Sequence, residues 1–368
     1  MKKKKALHII AELGIGGAEK VAMDLGLYMR DYGYESHYIV FGNDVGEYEN
    51  ILIKNDQIVF HFESPGTDYI KFYRSLKSLI KDNQYSVVHA HTMFNCGFVM
   101  LAARMEGVPV RIAHAHSALF DSRSTLQKTY EVLMRKLILR NSTDCIACGI
   151  AAGQKLFGKK AFETDCQVVL NGVNTAQFKF CEEARQKIRK DLESEGSFLI
   201  GHVGRLVDVK NQQFLIRLIP QIQKLRPNAR LLLLGDGEDR NELKDLIRSL
   251  KLEASVILAG NVLNTSDYLS AMDVFAFPSL YEGMPLSILE VQANGLPCIL
   301  STGVPKDVYQ TDLILPLSLD QPEQWVQAIC NAKRVSPEKY SEELRRKGLD
   351  TQTVMQQYLE IYERADKH

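Results

Sequence analysis

Pro278-Ser-Leu-Tyr-Glu282-Gly-Met-Pro-Leu-Ser-Ile-Leu-Glu290-Val-Gln-Ala-Asn-Gly295-Leu-Pro297 is the stretch on which the fold turns. The apolar run Val274 to Phe277 before it reads as a buried strand that ends at Pro278. A polar turn follows, and a helical pattern starts at Pro285, where a missing N–H does no harm at a first helical position. Gly295 and Pro297 stop that helix, and Cys298 to Ser301 begins another strand. Met284, before the expected helix, has no side chain that caps. The amides of Leu286 and Ser287 are therefore expected to be open to an anion. With Glu282 and Glu290 framing the turn, the stretch is a candidate site for a phosphorylated ligand that also carries hydroxyls.

Alone, the stretch is equally compatible with a plain strand-turn-helix whose glutamates face water. Its full run, however, resembles the Glu-x7-Glu signature of retaining glycosyltransferases of family 4, with Gly-Leu-Pro after the second glutamate. The commonest form in that family is Glu-Gly-Phe-Gly-Leu. Here Met284 and Pro285 replace Phe-Gly, a variant similar to those of polysaccharide-assembly enzymes. Pro285 has no N–H to offer, so the neighbouring amides of Gly283, Met284, Leu286 and Ser287 are the expected ligand contacts.

At 368 residues the chain suits two domains. Its 45% apolar and 24% charged residues are ordinary for a globular protein, and a formal net charge of zero argues against nucleic acid as a partner. No run of eighteen apolar residues spans a membrane, and the apolar run after Met1-Lys-Lys-Lys-Lys5 is short for a secretory signal. Seven scattered cysteines, an odd number, read as reduced thiols, so a cytoplasmic location is expected. The lone Cys145-x-x-Cys148 pair carries little weight as a zinc or redox motif.

In the first half, Leu7–Ala11 reads as a strand, Gly14-Ile-Gly-Gly17-Ala18-Glu19 as a turn, and the following residues as a helix. Glu19 stands where a dinucleotide fingerprint would place its last glycine or alanine. The turn is instead similar to the Gly-Gly-Ala-Glu loop of the same family, which implies that Gly16 and Gly17 lie near the donor diphosphate and the acceptor. Further strands are expected at 37–41, 58–62, 87–91, 110–115, 145–147 and 167–170, with helices between most of them. That alternation argues for a parallel sheet covered on both faces, with ligands at the C-terminal strand ends.

Two His-x-His pairs, His89 with His91 and His114 with His116, fall at those ends. Each pair shares a strand face and could ligate a metal, which supports a rival reading as a metal-dependent hydrolase. Further ligands from later strands are scarce, with only His202 near one. His89 is expected merely to satisfy buried backbone groups. The family resemblance implies a histidine at the donor sugar, and His116 fits that position best, with His114 in reserve. Residues 124–140 form a helical pattern with Leu126, Tyr130, Leu133, Met134, Leu137 and Ile138 on one side, read as a core face. Its Lys128, Arg135, Lys136 and Arg140 could also rest on an anionic membrane surface, the lesser reading, which makes sense if the acceptor is lipid-carried.

The second half restarts the alternation at Ser197, with strands expected at 198–203, 230–234, 256–259, 274–277, 298–300 and 314–315. Gly204-Arg205 and Lys210-Asn211 follow the first of these, and Gly235-Asp-Gly237 follows the second. A guanidinium fork and a compact ammonium suit a diphosphate. The family has Gly-Arg and Lys-Asn there for the donor diphosphate, and a Gly-x-Gly turn bordering the nucleotide. The helical segment 351–365 resembles the terminal helix that crosses back to the first domain.

The expectation is an α/β protein of the GT-B fold: two facing Rossmann-like domains with parallel sheets and a cleft between them. Residues 1–172 would form an acceptor-side domain, 173–350 a nucleotide-sugar-binding domain and 351–368 the crossing helix. The resemblance implies transfer of a hexose from a nucleotide sugar, with UDP the expected nucleotide, to a hydroxyl of a glycan or lipid-linked acceptor, with retention. Glu290 would hold the ribose hydroxyls and Glu282 those of the donor sugar, while Arg205 and Lys210 stabilise the departing diphosphate. No metal and no cofactor are implied, and no Asp-x-Asp triplet occurs. A glycoside hydrolase is opposed by spacing, since eight helical residues span about 12 Å, beyond the roughly 5–9.5 Å between hydrolase carboxyls. A non-catalytic nucleotide-sugar binder remains a rival that only turnover separates.

Overall fold

The computed structural model describes residues 3–64, 66, 68–117, 124–334 and 337–367. The chain divides into two compact units, one of Met1–Asn171 with Thr353–His368, the other of Gly172–Gln352.

The first unit is built on seven strands: β1 (Lys4–Ile9), β2 (Tyr34–Phe41), β3 (Ile58–Phe62), β4 (Val87–Ala90), β5 (Val110–Ala115), β6 (Asp144–Ala147) and β7 (Cys166–Val168). They pair in the order β3-β2-β1-β4-β5-β6-β7, and every pairing is parallel. The central strands are apolar without alternation because helices cover both faces, as parallel sheets require.

The second unit has β8 (Phe198–Val203), β9 (Ala229–Leu234), β10 (Val256–Gly260), β11 (Val274–Phe277), β12 (Cys298–Ser301) and β13 (Ile314–Leu317). Their order is β10-β9-β8-β11-β12-β13, again parallel throughout. Its core joins Ile200, Leu231, Leu233, Val274 and Ala276 of the sheet to Ile216, Ile219 and the buried Trp325. In both sheets the strand order reverses once beside the first strand, between β1 and β4 and between β8 and β11. Such reversals open a crevice at the strands' C-terminal ends.

The helix Thr351–Tyr362 docks its apolar face in the first unit, where Val354, Met355, Tyr358, Leu359 and Tyr362 pack with Ala6, Met29, Val110 and Ile146. Tyr358 and Tyr362 stand one helical turn apart on that face. Their hydroxyls bond His114 Nε2 at 3.3 Å and His89 Nδ1 at 3.0 Å. His89 is thus satisfied by side chains, His114 and Tyr362, and not by the backbone groups expected from sequence.

The helix Thr125–Asn141 also departs from its expected face. Ser124 caps it through Gln127 N, and Met134, Ile138 and Asn141 are buried. Leu126 and Leu133, read as core, are exposed together with Val132. Lys128, Lys136 and Arg140 share that exposed surface. No helix among the described residues is long and apolar enough to cross a membrane.

Tyr362→Phe leaves one nitrogen of a fully buried imidazole without its partner, at a cost of about 1–3 kcal/mol. Amide hydrogen exchange in β4 and β5 should accelerate accordingly. Unchanged protection there would show that the bond contributes nothing.

Candidate active site

The second unit gathers most of the candidate residues at its strand-order reversal. After β8 the chain runs through Gly204 and Arg205 into a 3-10 turn, Asp208–Lys210. After β11 it runs through Pro278 to Glu282. The amide of Leu280 donates to Val209 O at 2.8 Å, and Asn211 Nδ2 donates to Pro278 O at 3.3 Å. These bonds fasten one turn to the other. Asn211 takes a left-handed conformation, φ 53°, which asparagine tolerates better than most residues.

Held this way, Lys210 Nζ donates to Glu282 Oε1 at 2.6 Å. Their side chains are 19% and 8% exposed, so the pair is largely desolvated. The ammonium also sits 5.0 Å from the Phe277 ring centroid, within cation–π range. Arg205 differs. Its side chain is 57% exposed and reaches Glu238 at 3.6 Å, a weak surface pairing.

The glycines of this region have a packing reason. Gly235 has φ 125°, and a Cβ there would lie 2.2 Å from Gly204 O. A Cβ at Gly237 would lie 2.3 Å from Leu206 O. The turn after β9 therefore presses directly on the turn after β8, and Leu206 N donates to Asp236 O at 3.0 Å.

The helix after β11 runs Leu286–Ala293, one residue later than the sequence pattern placed it. Pro285 is its N-cap, not its first residue, with extended backbone at φ −68° and ψ 116°. Pro285 has no side-chain acceptor, so no side chain caps this end. Leu286, Ser287, Gly283 and Glu290 are half-buried here, and Met284 is buried.

In the first unit, Gly16 is the extended N-cap of the helix Gly17–Arg30, which Gly17 begins. His116 lies one residue past β5 and is half-buried. It belongs to a cluster that sequence reasoning saw only in part. Two rows of rings run across the sheet, and His8 on β1 begins one of them. In one row His8 Nδ1 meets His91 Nε2 at 3.4 Å, and His91 Nδ1 meets His116 Nε2 at 2.8 Å. In the other, Tyr362, His89, His114 and Tyr358 follow one another, with His89 Nε2 and His114 Nδ1 at 3.1 Å. The rows stack, with ring centroids 4.2 Å apart for His89 and His91 and 3.9 Å for His114 and His116. The signal available in sequence was His8, an imidazole inside an apolar strand.

Burial keeps these imidazoles neutral, lowering His8 and His116 to about 3 and His89, His91 and His114 well below the usual histidine value. His202 is lowered to about 4, also by burial, and is held by Ala276 O and Gln212. Two triads, His8-His89-His91 and His91-His114-His116, bring ligand atoms within 4.8 Å of one another. Both nitrogens of His89, His91 and His114 are already engaged along the rows, however, and each row consists of neutral rings and hydroxyls. The cluster is accounted for by hydrogen bonds between rings.

Two parallel α/β sheets, each with its strand order reversing once, and one carrying a lysine–carboxylate pair beside an uncapped helix at that reversal, fit the two-domain GT-B class. Residues 15–177 match the model described as Glycosyltransferase Family 4, and residues 184–310 match Glycosyl transferases group 1. EpsF of Bacillus subtilis (strain 168), assigned as a glycosyltransferase, is 32% identical over 370 residues, covering 98% of this chain and 96% of the relative. The UDP-Gal:alpha-D-GlcNAc-diphosphoundecaprenol alpha-1,3-galactosyltransferase of Escherichia coli is 32% identical over 235 residues, 62% of this chain and 60% of its own. The crystal structure of Anabaena HepE in complex with UDP-glucose superposes with a TM-score of 0.77 at 21% identity, covering 97% of this chain and 98% of that one. The chain belongs to glycosyltransferase family 4. None of these relatives supports the hydrolase reading.

Lys210→Met strands a largely buried carboxylate and should destabilise the second unit by about 3 kcal/mol. Arg205→Ala, at an exposed side chain, should stay within about 0.5 kcal/mol. Urea unfolding followed by the single tryptophan, Trp325, in the core of this unit reads both. Equal losses would contradict the difference in burial.

Proposed function

We propose that the protein transfers a hexose from a UDP-linked donor to a hydroxyl of a glycan or lipid-linked acceptor with retention of configuration, as a step of polysaccharide assembly. The observation that carries this reading is the Lys210–Glu282 pair at the reversal of the second sheet, with Arg205 on the same loop. In sugar chemistry the E. coli relative supports it, a galactosyltransferase whose name specifies a UDP-linked donor and a lipid diphosphate acceptor.

In this reading residues 173–350 bind the donor, residues 1–172 serve the acceptor, and residues 351–368 tie back to the latter. Glu290 accepts hydrogen bonds from the ribose hydroxyls, and Glu282 accepts them from the donor sugar. Amides of Gly283, Met284, Leu286 and Ser287 face the ligand, and the turns at Gly204, Gly235 and Gly237 border the nucleotide. By the family resemblance Gly16 and Gly17 are assigned to the diphosphate and His116 to the sugar. The bond between the anomeric carbon and the diphosphate breaks, and the acceptor oxygen bonds to that carbon on the same face. The acceptor's proton passes to the leaving phosphate. Arg205, Lys210 and the helix Leu286–Ala293, whose N-terminus contributes roughly half a positive charge, oppose the charge that develops. With Lys210 drawn from Glu282 by the diphosphate, these charges oppose it without a metal cation.

The test is transfer from a panel of UDP-sugars to a lipid diphosphate or glycan acceptor after exhaustive EDTA treatment. Turnover should persist, and Arg205→Ala should lower kcat about 10²–10³-fold. Glu290→Gln should weaken UDP binding, whereas Glu282→Gln should reduce turnover more than UDP affinity. Wild-type rates in both glutamate variants would overturn the site, and rescue by magnesium or manganese would overturn the metal-free balance. Donor binding without turnover would identify a nucleotide-sugar-binding protein instead.

A cytoplasmic enzyme working on a lipid-linked acceptor would meet the inner face of the membrane. The exposed surface of the helix Thr125–Asn141, with Leu126, Val132 and Leu133 beside Lys128, Lys136 and Arg140, suits an anionic bilayer. Sedimentation with anionic vesicles should carry the protein down at low salt, less so at high salt and in Lys136→Glu. Equal recovery with neutral vesicles would remove the idea.

A further inference from the structure

The row His8–His91–His116 has only two consistent proton arrangements. Each neutral imidazole carries one N–H and one bare acceptor nitrogen. His91 uses both nitrogens, Nε2 toward His8 and Nδ1 toward His116. It therefore donates to one neighbour and accepts from the other, and the same direction must run through the whole row.

His8 decides which. It is fully buried, and its Nε2 has no hydrogen-bond partner. If His91 Nε2–H donated to His8 Nδ1, the proton of His8 would sit on Nε2 as a buried donor without an acceptor. A buried N–H left without an acceptor is rarer in folded proteins than an acceptor left without a donor. In the opposite direction His8 Nδ1–H donates to His91 Nε2, and only a bare nitrogen is left unpaired. His91 Nδ1–H then donates to His116 Nε2. The proton of His116 is consequently on Nδ1.

We propose that His91 is a positioning residue that fixes His116 as its Nδ1–H tautomer, with His8 setting the direction of the row, so that His116 presents a hydrogen-bond donor to an oxygen of the sugar nucleotide. The ligand part of this proposal rests on the placement of His116 at the donor sugar given above; the tautomer part rests on the row alone. A donor and an acceptor at this position select different ligand atoms. A fixed N–H addresses a ring, hydroxyl or phosphate oxygen, and a bare nitrogen would instead take a hydroxyl proton. Burial in a row of neutral rings keeps His116 a single donor with one acceptor nitrogen already used.

The sequence spacing makes the row possible. Histidines two apart on a strand share a face. His8 is paired in register with His89, yet its ring bonds His91, two residues further on and just past the end of β4. His91 likewise bonds the last histidine beyond β5. Each crossing climbs toward the C-terminal edge of the sheet, where His116 ends the row half-buried.

The experiment is a long-range 15N–1H spectrum of the full chain labelled with 15N-histidine, with His116 identified by its loss in His116→Gln. The expected result is one tautomer for His116, protonated at Nδ1. His91→Phe removes the donor and should release His116 into a mixture or into the Nε2–H form, with kcat about tenfold lower and donor KM within about twofold, the size of one lost hydrogen bond. His91→Asn, whose amide N–H occupies nearly the place of Nδ1–H, should restore the Nδ1–H tautomer and recover most of the turnover. A proton on Nε2 of His116 in the unaltered chain overturns the proposal, whether or not His91→Phe folds. So does a His116 that keeps its Nδ1–H in folded His91→Phe. A fixed Nδ1–H with undiminished turnover in both His91→Phe and His116→Gln overturns the ligand part and the placement of His116, while leaving the row itself in place.

Discussion

Every strand pairing in both sheets is parallel, and this constraint governs where chemistry can sit. Parallel strands all exit on one edge, so the loops after β8, β9 and β11 emerge side by side. Sequence distance then matters little. Lys210 and Glu282 are 72 residues apart and still meet at 2.6 Å. The same constraint places His8, His91 and His116 on one rising line, although β1, β4 and β5 are far apart in the chain.

This explains what was legible in sequence. Val110–Ala115, Phe198–Val203 and Val274–Phe277 are short, mostly apolar runs closed by glycine, proline or polar residues, and each forms a strand with those bounds. Local chemistry suffices there. The helix after Glu282 was legible to one residue, because proline suits both the N-cap and the first position and only the backbone angles separate the two. The helix at Thr125–Asn141 was legible as a helix but not in its buried face. Leu126 and Leu133 follow helical spacing as well as Met134 and Ile138 do, and periodicity does not tell which side a neighbour covers. Pairings between strands were not legible at all. The histidine rows require register, and His8 gives no hint of it when read along its own strand.

The Lys210–Glu282 contact also changes the charge accounting drawn from sequence. Read along the chain, Lys210 is a free positive charge and Glu282 a free hydroxyl acceptor. In the fold each is the other's partner at 2.6 Å, largely removed from water. A pair of this kind contributes little net field at a distance, but it holds both groups in place. The diphosphate of a donor would have to attract Lys210 against Glu282, while a sugar hydroxyl shared with Glu282 would loosen the same bond from the other side.

The two units handle polarity in opposite ways, and the difference follows from what surrounds each group. In the second unit a carboxylate accompanies the ammonium at 2.6 Å, and each satisfies the other where water is largely excluded. In the first unit the histidine rows contain only imidazoles and tyrosine hydroxyls, and burial drives every ring neutral. A charged imidazole in either row would need two acceptors where the neighbouring rings supply one donor and one acceptor. Neutrality and directionality thus enforce each other: the rows stay ordered because no ring gains a proton, and no ring gains a proton because its partners are already ordered. A group at the end of such a row carries no charge of its own to a departing diphosphate. In the proposed reading, stabilisation of the leaving group would then fall to Arg205, Lys210 and the uncapped helix, with His116 left to orient the sugar.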